Sequence, residues 1–147
     1  MKSLRNFLIA SMGTFLAMIH VSAKAQFVEV PTVVVKAFDV KFPDAKEVNW
    51  QHNIGKPEVK FKNDNKDYWA RFTNKGVWEA SEIKTTMEEL PAEVQDGFHK
   101  SKYTEWPIKD IKKVEKPEGV TYKLNISKGT LSSRTLVFSD KGKLLKD

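Results

Sequence analysis

The apolar residue, proline and phenylalanine of Val30-Pro31 and Phe38 recur as Leu90-Pro91 and Phe98 at identical spacing, 60 positions later. Further along, Phe72-Thr73-Asn74-Lys75-Gly76 recurs as Phe138-Ser139-Asp140-Lys141-Gly142, now 66 positions later, and Gly55 and Gly119 stand within two residues of that second offset. Matches in the same order, with the same turn chemistry and similar segments between them, are the signature of an internal duplication carrying a few inserted residues. Such a chain is expected to fold as one supersecondary unit used twice, with repeats of about 28–86 and about 87–147.

Each repeat opens on a predicted helix. Proline suits the first helical position, where it gives up only a donor that would be orphaned anyway, and the second copy adds Glu93 near that end. Met87, Leu90, Val94 and Phe98 recur at helical spacing and predict one buried stripe on a helix from about 90 to 102. Val34, Phe38 and Phe42 do the same in the first copy, although Val33-Val34-Val35 also suits a strand. Alternation then takes over: Val59 and Phe61 against Glu58, Lys60 and Lys62, and Tyr122, Leu124 and Ile126 against Thr121, Lys123 and Asn125, read as half-buried strands. An earlier strand around Glu47 to Gln51, with Val48 and Trp50 facing one way, starts the first meander. Asn74-Lys75-Gly76 and Asp140-Lys141-Gly142 supply the turns of the closing hairpins. The predicted class is α+β: two tandem helix-plus-antiparallel-sheet repeats with the helices on one face.

Strand parity then suggests a surface. A two-residue Asn74-Lys75 loop places Phe72 opposite Val77, Arg71 opposite Trp78 and Trp69 opposite Ala80. One side then carries Ala70, Phe72 and Val77 for the helix to cover, and the other carries Trp69, Arg71 and Trp78. The same register in the second repeat turns Leu136, Phe138 and Leu145 toward the helix and Val137 and Leu144 away from it. The face bearing Trp69, Arg71, Trp78, Val137 and Leu144, edged by Lys60 and Lys123, is therefore expected to stay partly open. Exposed aromatics beside an arginine are the composition of a binding hot spot. Arg71 stacked on Trp78 across the hairpin, a local contact of about 0.5–1 kcal/mol, accounts for the same pair with no partner at all. Trp50 and Trp106 read as packing residues.

The N-terminus places the chain in a compartment. Lys2 and Arg5 precede the apolar run Phe7 to Val21, and Ala23-Lys24-Ala25 follows, which is the layout of a secretory signal (residues 1–25) cleaved between Ala25 and Gln26. That run is about 15 residues, short of the roughly 18–20 that cross a bilayer, so no stable membrane anchor is expected after cleavage. The mature domain, residues 26–147, is expected in the periplasm or outside the cell. Cleavage removes three of the 25 basic residues and none of the 19 acidic ones, so 22 basic residues remain and the net charge falls from +6 to +3. Mixed charges with so small an excess make nucleic acid a poor partner. Without a cysteine there can be no disulfide, so a single hydrophobic core must hold the domain.

Catalytic chemistry lacks its usual parts. Past the signal there are two histidines, His52 and His99, and no phosphate-binding glycine loop, Gly-x-Ser-x-Gly elbow or His-Glu-x-x-His. Asn63, Asn65 and Asp67 resemble the start of a calcium loop, yet Tyr68 occupies the glycine position and Asn74 that of the bidentate glutamate. Glu88-Glu89 reads as a solvated stretch, and Asn125-Ile126-Ser127 as a strand that happens to fit a glycosylation acceptor. No catalytic, cofactor or metal residue is assigned, and the inventory points away from an enzyme.

Pro31, Phe38, Val48, Trp50, Phe72, Gly76, Pro91, Tyr122, Phe138 and Gly142, behind a leader ending Ala-x-Ala-Gln, together resemble the PepSY-like family of exported bacterial proteins, also described as β-lactamase-inhibitor-like. The resemblance covers essentially all of the mature chain and implies two tandem helix-plus-sheet units with helices on one side and a broad sheet face on the other. Known β-lactamase inhibitory proteins dock through sheet-face aromatics and an inserted hairpin loop, and PepSY domains are associated with peptidase inhibition. No inhibitory loop can be matched here residue by residue. The expected function is a non-enzymatic module that binds a protein partner through the open face, as an inhibitor of a periplasmic or secreted enzyme. The rival reading is a binder of an envelope polymer or small ligand.

Overall fold

The computed structural model describes residues 29–52 and 55–147; the export signal and its cleavage site lie outside them. Two helices form where the apolar stripes predict them. Helix α1 spans Thr32–Lys41 and α2 spans Ala92–His99. Pro31 and Pro91 are the caps rather than the first helical residues: with ψ of 135° and 144° they lead each chain segment in from an extended approach. Their carbonyls accept the first helical bonds, from Val34 N–H at 2.8 Å and from Val94 N–H at 2.9 Å. Each helix buries the pair predicted for it, Val34 with Phe38 and Val94 with Phe98. The triple valine is helical because Val34 and Phe38, one turn apart, both reach the core.

Eight strands follow in chain order: β1 (Lys46–His52), β2 (Pro57–Asn63), β3 (Lys66–Phe72), β4 (Trp78–Thr85), β5 (Ile108–Lys116), β6 (Gly119–Lys128), β7 (Ser132–Ser139) and β8 (Leu144–Lys146). Every strand pairs antiparallel with its neighbour in sequence, giving one continuous sheet in which β4 meets β5 although α2 lies between them in the chain. The cross-strand series Tyr68, Ile83, Lys113, Tyr122 and Phe138 runs along one side of β3 to β7 without a change of face. Val34 and Phe38 of α1 pack with Phe72, and Val94 and Phe98 of α2 pack with Phe138, so both helices lie on that same side. The first core is aromatic, with Phe38 meeting the rings of Phe42, Trp50, Phe61 and Phe72 at centroid distances of 5.5, 5.3, 5.0 and 6.3 Å. The second joins Leu124, Ile126, Leu136 and Phe138 to α2.

Strand β5 has no counterpart in the sequence-based expectation. Its apolar residues Ile108, Ile111 and Val114 fall three apart, and the pairing explains why: Ile111 lies on the helix side, Val114 on the other, and the register shifts between Ile108 and Asp110. In β1 the register shifts between Lys46 and Asn49, and Val48 is 42% exposed while Trp50 packs against the first core.

The closing hairpins differ from the two-residue loops expected. Thr73 N–H donates to Val77 O at 2.8 Å and Gly76 N–H to Thr73 O at 3.0 Å, which makes Asn74-Lys75-Gly76 a three-residue loop. Ser139, Lys143 and Gly142 repeat this at 2.9 and 3.0 Å. The third loop residue needs a left-handed backbone, met by Gly76 at φ +80° and Gly142 at φ +72°. Both glycines also lie against a helix: a Cβ on Gly76 would stand 2.9 Å from Val33 O, and one on Gly142 would run into Glu93 O. With the extra loop residue Phe72 pairs Trp78, and a bulge at Glu79 then sets Arg71 opposite Ala80. Phe138 likewise pairs Leu144, and Leu145 is the bulged residue before Val137 meets Lys146.

Candidate functional site

These three-residue loops correct the composition of the expected surface. Trp78 lies on the helix side, packed against the first core, with its Nε1–H donating to Ser81 Oγ at 2.9 Å and Lys41 Nζ 3.7 Å from its ring centroid. Leu144 packs against the second core. Val77 and Leu145, expected beneath the helices, are instead 58% and 54% exposed. The predicted Arg71–Trp78 stack does not form. Arg71 instead lies 5.5 Å from the ring of Trp69 on its own strand, and its Nε stands 3.2 Å from Glu79 Oε2.

Lys60, Trp69, Arg71, Lys123 and Val137 do share the face away from the helices. Lys60 pairs Trp69 and Trp69 pairs Glu82 along one cross-strand row, while Lys123 pairs Val137 further along the sheet. Both helices pack on the opposite side, and Ala80 and Val114 on this side are 2% and 3% exposed, so the face has a dry apolar floor among its charges. Trp69 is half-buried and lines a groove of about 380 Å³ with Lys60, Lys62, Lys84, Glu82 and Lys112.

The residue at the centre of the face, Glu82, was not singled out by the sequence. Its side chain is only 17% exposed, and its two oxygens each take one lysine, Lys112 at 2.9 Å and Lys123 at 2.5 Å. Burial pushes its carboxyl upward, and the hydrogen bonds and charges of Lys123 and Lys112 outweigh that, holding it below the usual carboxylate range. At the rim, Lys56 bonds Glu79 at 2.5 Å and, chiefly by that hydrogen bond, keeps its carboxyl low as well. Glu47 raises the Lys62 ammonium in the same way, from 2.9 Å. The only sequence signal for Glu82 was its parity with Lys84 and Ala80, legible once the bulge is known.

Among the described residues no group of three or more His, Cys, Asp or Glu side chains could hold a metal ion, and no helix is long and apolar enough to cross a membrane. The face can bind by shape, stacking and charge.

Residues 55–146 match the model of the family described as putative beta-lactamase-inhibitor-like, PepSY-like. No curated protein matches the chain. Several crystal structures share the fold. A DUF2874-family protein from Bacteroides ovatus aligns with TM-score 0.77 at 21% identity, covering 80% of this chain and 86% of its own. A protein from Bacteroides eggerthii described as a putative periplasmic protein gives 0.75 at 21% identity, with 80% and 87% covered. A BLIP-like protein from Bacteroides fragilis gives 0.76 at 20% identity, with 82% and 86% covered.

Proposed function

This chain belongs to the PepSY-like, β-lactamase-inhibitor-like family, and from that premise we propose that it is a non-catalytic exported module that binds another protein through the helix-free face of its sheet. The observation that carries this reading is half-buried Trp69, flanked by Lys60 and Arg71 over a dry floor, on the face opposite both helices. Stacking on a tryptophan with an adjacent guanidinium is the usual anchor of a protein interface, and the surrounding charges set orientation. Inhibition of a periplasmic or secreted enzyme follows if the docked surface includes that enzyme's cleft, and the BLIP-like description of one structural neighbour supports trying enzymes first.

The reading includes the history and location of the domain. The two helix-hairpin junctions, each with a left-handed glycine against the first turn of a helix and a bulge after the turn, support descent from one duplicated unit. The leader at residues 1–25 and the periplasmic description of one neighbour support export, with the mature chain starting at Gln26. Mass spectrometry of the exported protein checks that start.

The docking test is a binding constant for a purified partner, measured with wild type and with Trp69→Ala/Arg71→Ala. A loss of tenfold or more is expected, while a helix-side control, Lys36→Glu, binds as wild type. Equal affinity of the double variant, with its melting curve intact, rules this face out.

A further inference from the structure

Three lysines stand directly opposite one another on three adjacent strands: Lys84 on β4 pairs Lys112 on β5, and Lys112 pairs Lys123 on β6. Neighbouring strands are about 4.8 Å apart, so like charges set in one row repel, and a sheet selected for stability alone would place an acid between them. Glu82 relieves part of this by taking Lys112 and Lys123. Both of its oxygens are thereby used. Lys84 is left without an ion pair among the described residues, as is Lys60 across from Trp69. The same cross-strand row continues to Val137 and Lys146 in one direction, and on the other side Asp67, which pairs Lys62, lines the same groove as Lys84.

Resting on the docking reading above, we infer that the Lys84–Lys112–Lys123 ladder beside Trp69 is the seat of an acidic peptide segment of the protein partner, whose carboxylates complete the neutralisation that Glu82 begins. Side chains on one side of an extended peptide repeat about every 6.6 Å, close enough to the ladder's spacing for two or three carboxylates to reach it together. The groove beside Trp69 is lined by four lysines, Lys60, Lys62, Lys84 and Lys112, against the three acids Glu47, Asp67 and Glu82, and it has room for one apolar or aromatic residue of the peptide beside the indole. A peptide suits this face better than a uniform polyanion. Asp67 and Glu82 line the same groove as Lys84 and Lys112, and a polymer charged at every unit would meet both, whereas a peptide can set a neutral residue at those places.

The test uses the mature protein and a fluorescein-labelled peptide of alternating Glu and Ser with one central Leu, read by anisotropy, beside the same peptide with Gln for Glu and a labelled polygalacturonate. Saturable binding of the Glu peptide in about 20 mM salt is expected, with at least tenfold loss at about 300 mM because surface charges are screened. No saturable binding of the Gln peptide is expected. Lys84→Glu should weaken binding at least tenfold and Lys36→Glu, of the same charge change on α1, less than twofold. Equal loss in both variants would reduce the effect to net charge and overturn the inference, as would a Glu peptide that fails to bind in low salt. Tighter binding of polygalacturonate would overturn it in favour of an envelope polymer. If the acidic peptide fails while Trp69→Ala/Arg71→Ala still loses a purified partner, the docking reading stands and only its acidic chemistry is wrong.

Discussion

Replacing Gly142 with alanine tests how each helix is seated on its hairpin, and Gly129 supplies the comparison. The two glycines have nearly the same left-handed backbone, φ +72° and +69°. A Cβ on Gly129 meets nothing within 4 Å, whereas one on Gly142 would overlap Glu93 O and crowd Val94 N. Holding an L-residue in that conformation costs about 1–2 kcal/mol, and Gly129→Ala should lose that much and no more. Gly142→Ala carries the same term, and in addition must lift the first turn of α2 from the hairpin. Overpacking of a well-fitted contact costs roughly 1–3 kcal/mol more, so the expected loss is about 2–5 kcal/mol. Urea unfolding followed by tryptophan fluorescence gives both values from midpoints at constant slope. Equal losses for the two variants would refute the proposed close seating, since the backbone term alone would then suffice.

Leu144→Ala should cost about 1–3 kcal/mol and Leu145→Ala less than about 0.5 kcal/mol in the same assay, because the three-residue loop pairs Leu144 with Phe138 on the core side and leaves Leu145 outward; the reverse order would restore the two-residue-loop register. Phe38→Ala removes the ring that touches four others and should cost about 3–5 kcal/mol by thermal or urea unfolding. Glu82 has its folded pKa below the ordinary carboxylate value, so its stabilisation is complete above that value and is lost as pH falls through the folded pKa. Glu82→Gln should therefore lower stability by about 1–2 kcal/mol at pH 7 and flatten the acid side of the stability profile, measured by unfolding midpoints from pH 3 to 7.

The helices, the alternating strands and the positions, though not the lengths, of both closing turns were legible in the sequence because each rests on local spacing: Val34 with Phe38, Val94 with Phe98, Val59 with Phe61, Leu124 with Ile126. The face assignments of Lys60, Trp69, Arg71, Lys123 and Val137 followed from parity on unbroken strands. Trp78 and Leu144 were misplaced because one extra loop residue stands between them and the parity count, and a single shift reverses a strand's sides. Strand β5 was invisible for a related reason: Ile111 and Val114 serve opposite faces, so no alternation remained to read. The like-charged ladder needed the pairing of β4 with β5, a contact across α2 that no local pattern encodes.

A partner docked on the sheet leaves the helices free, and lysine footprinting of the complex reads out which side it covers. Acetylation with and without a purified partner, mapped by mass spectrometry, should show protection of Lys60, Lys84 and Lys123 and unchanged labelling of Lys36, Lys41 and Lys100. Protection confined to Lys36, Lys41 and Lys100 would place the partner on the helices instead.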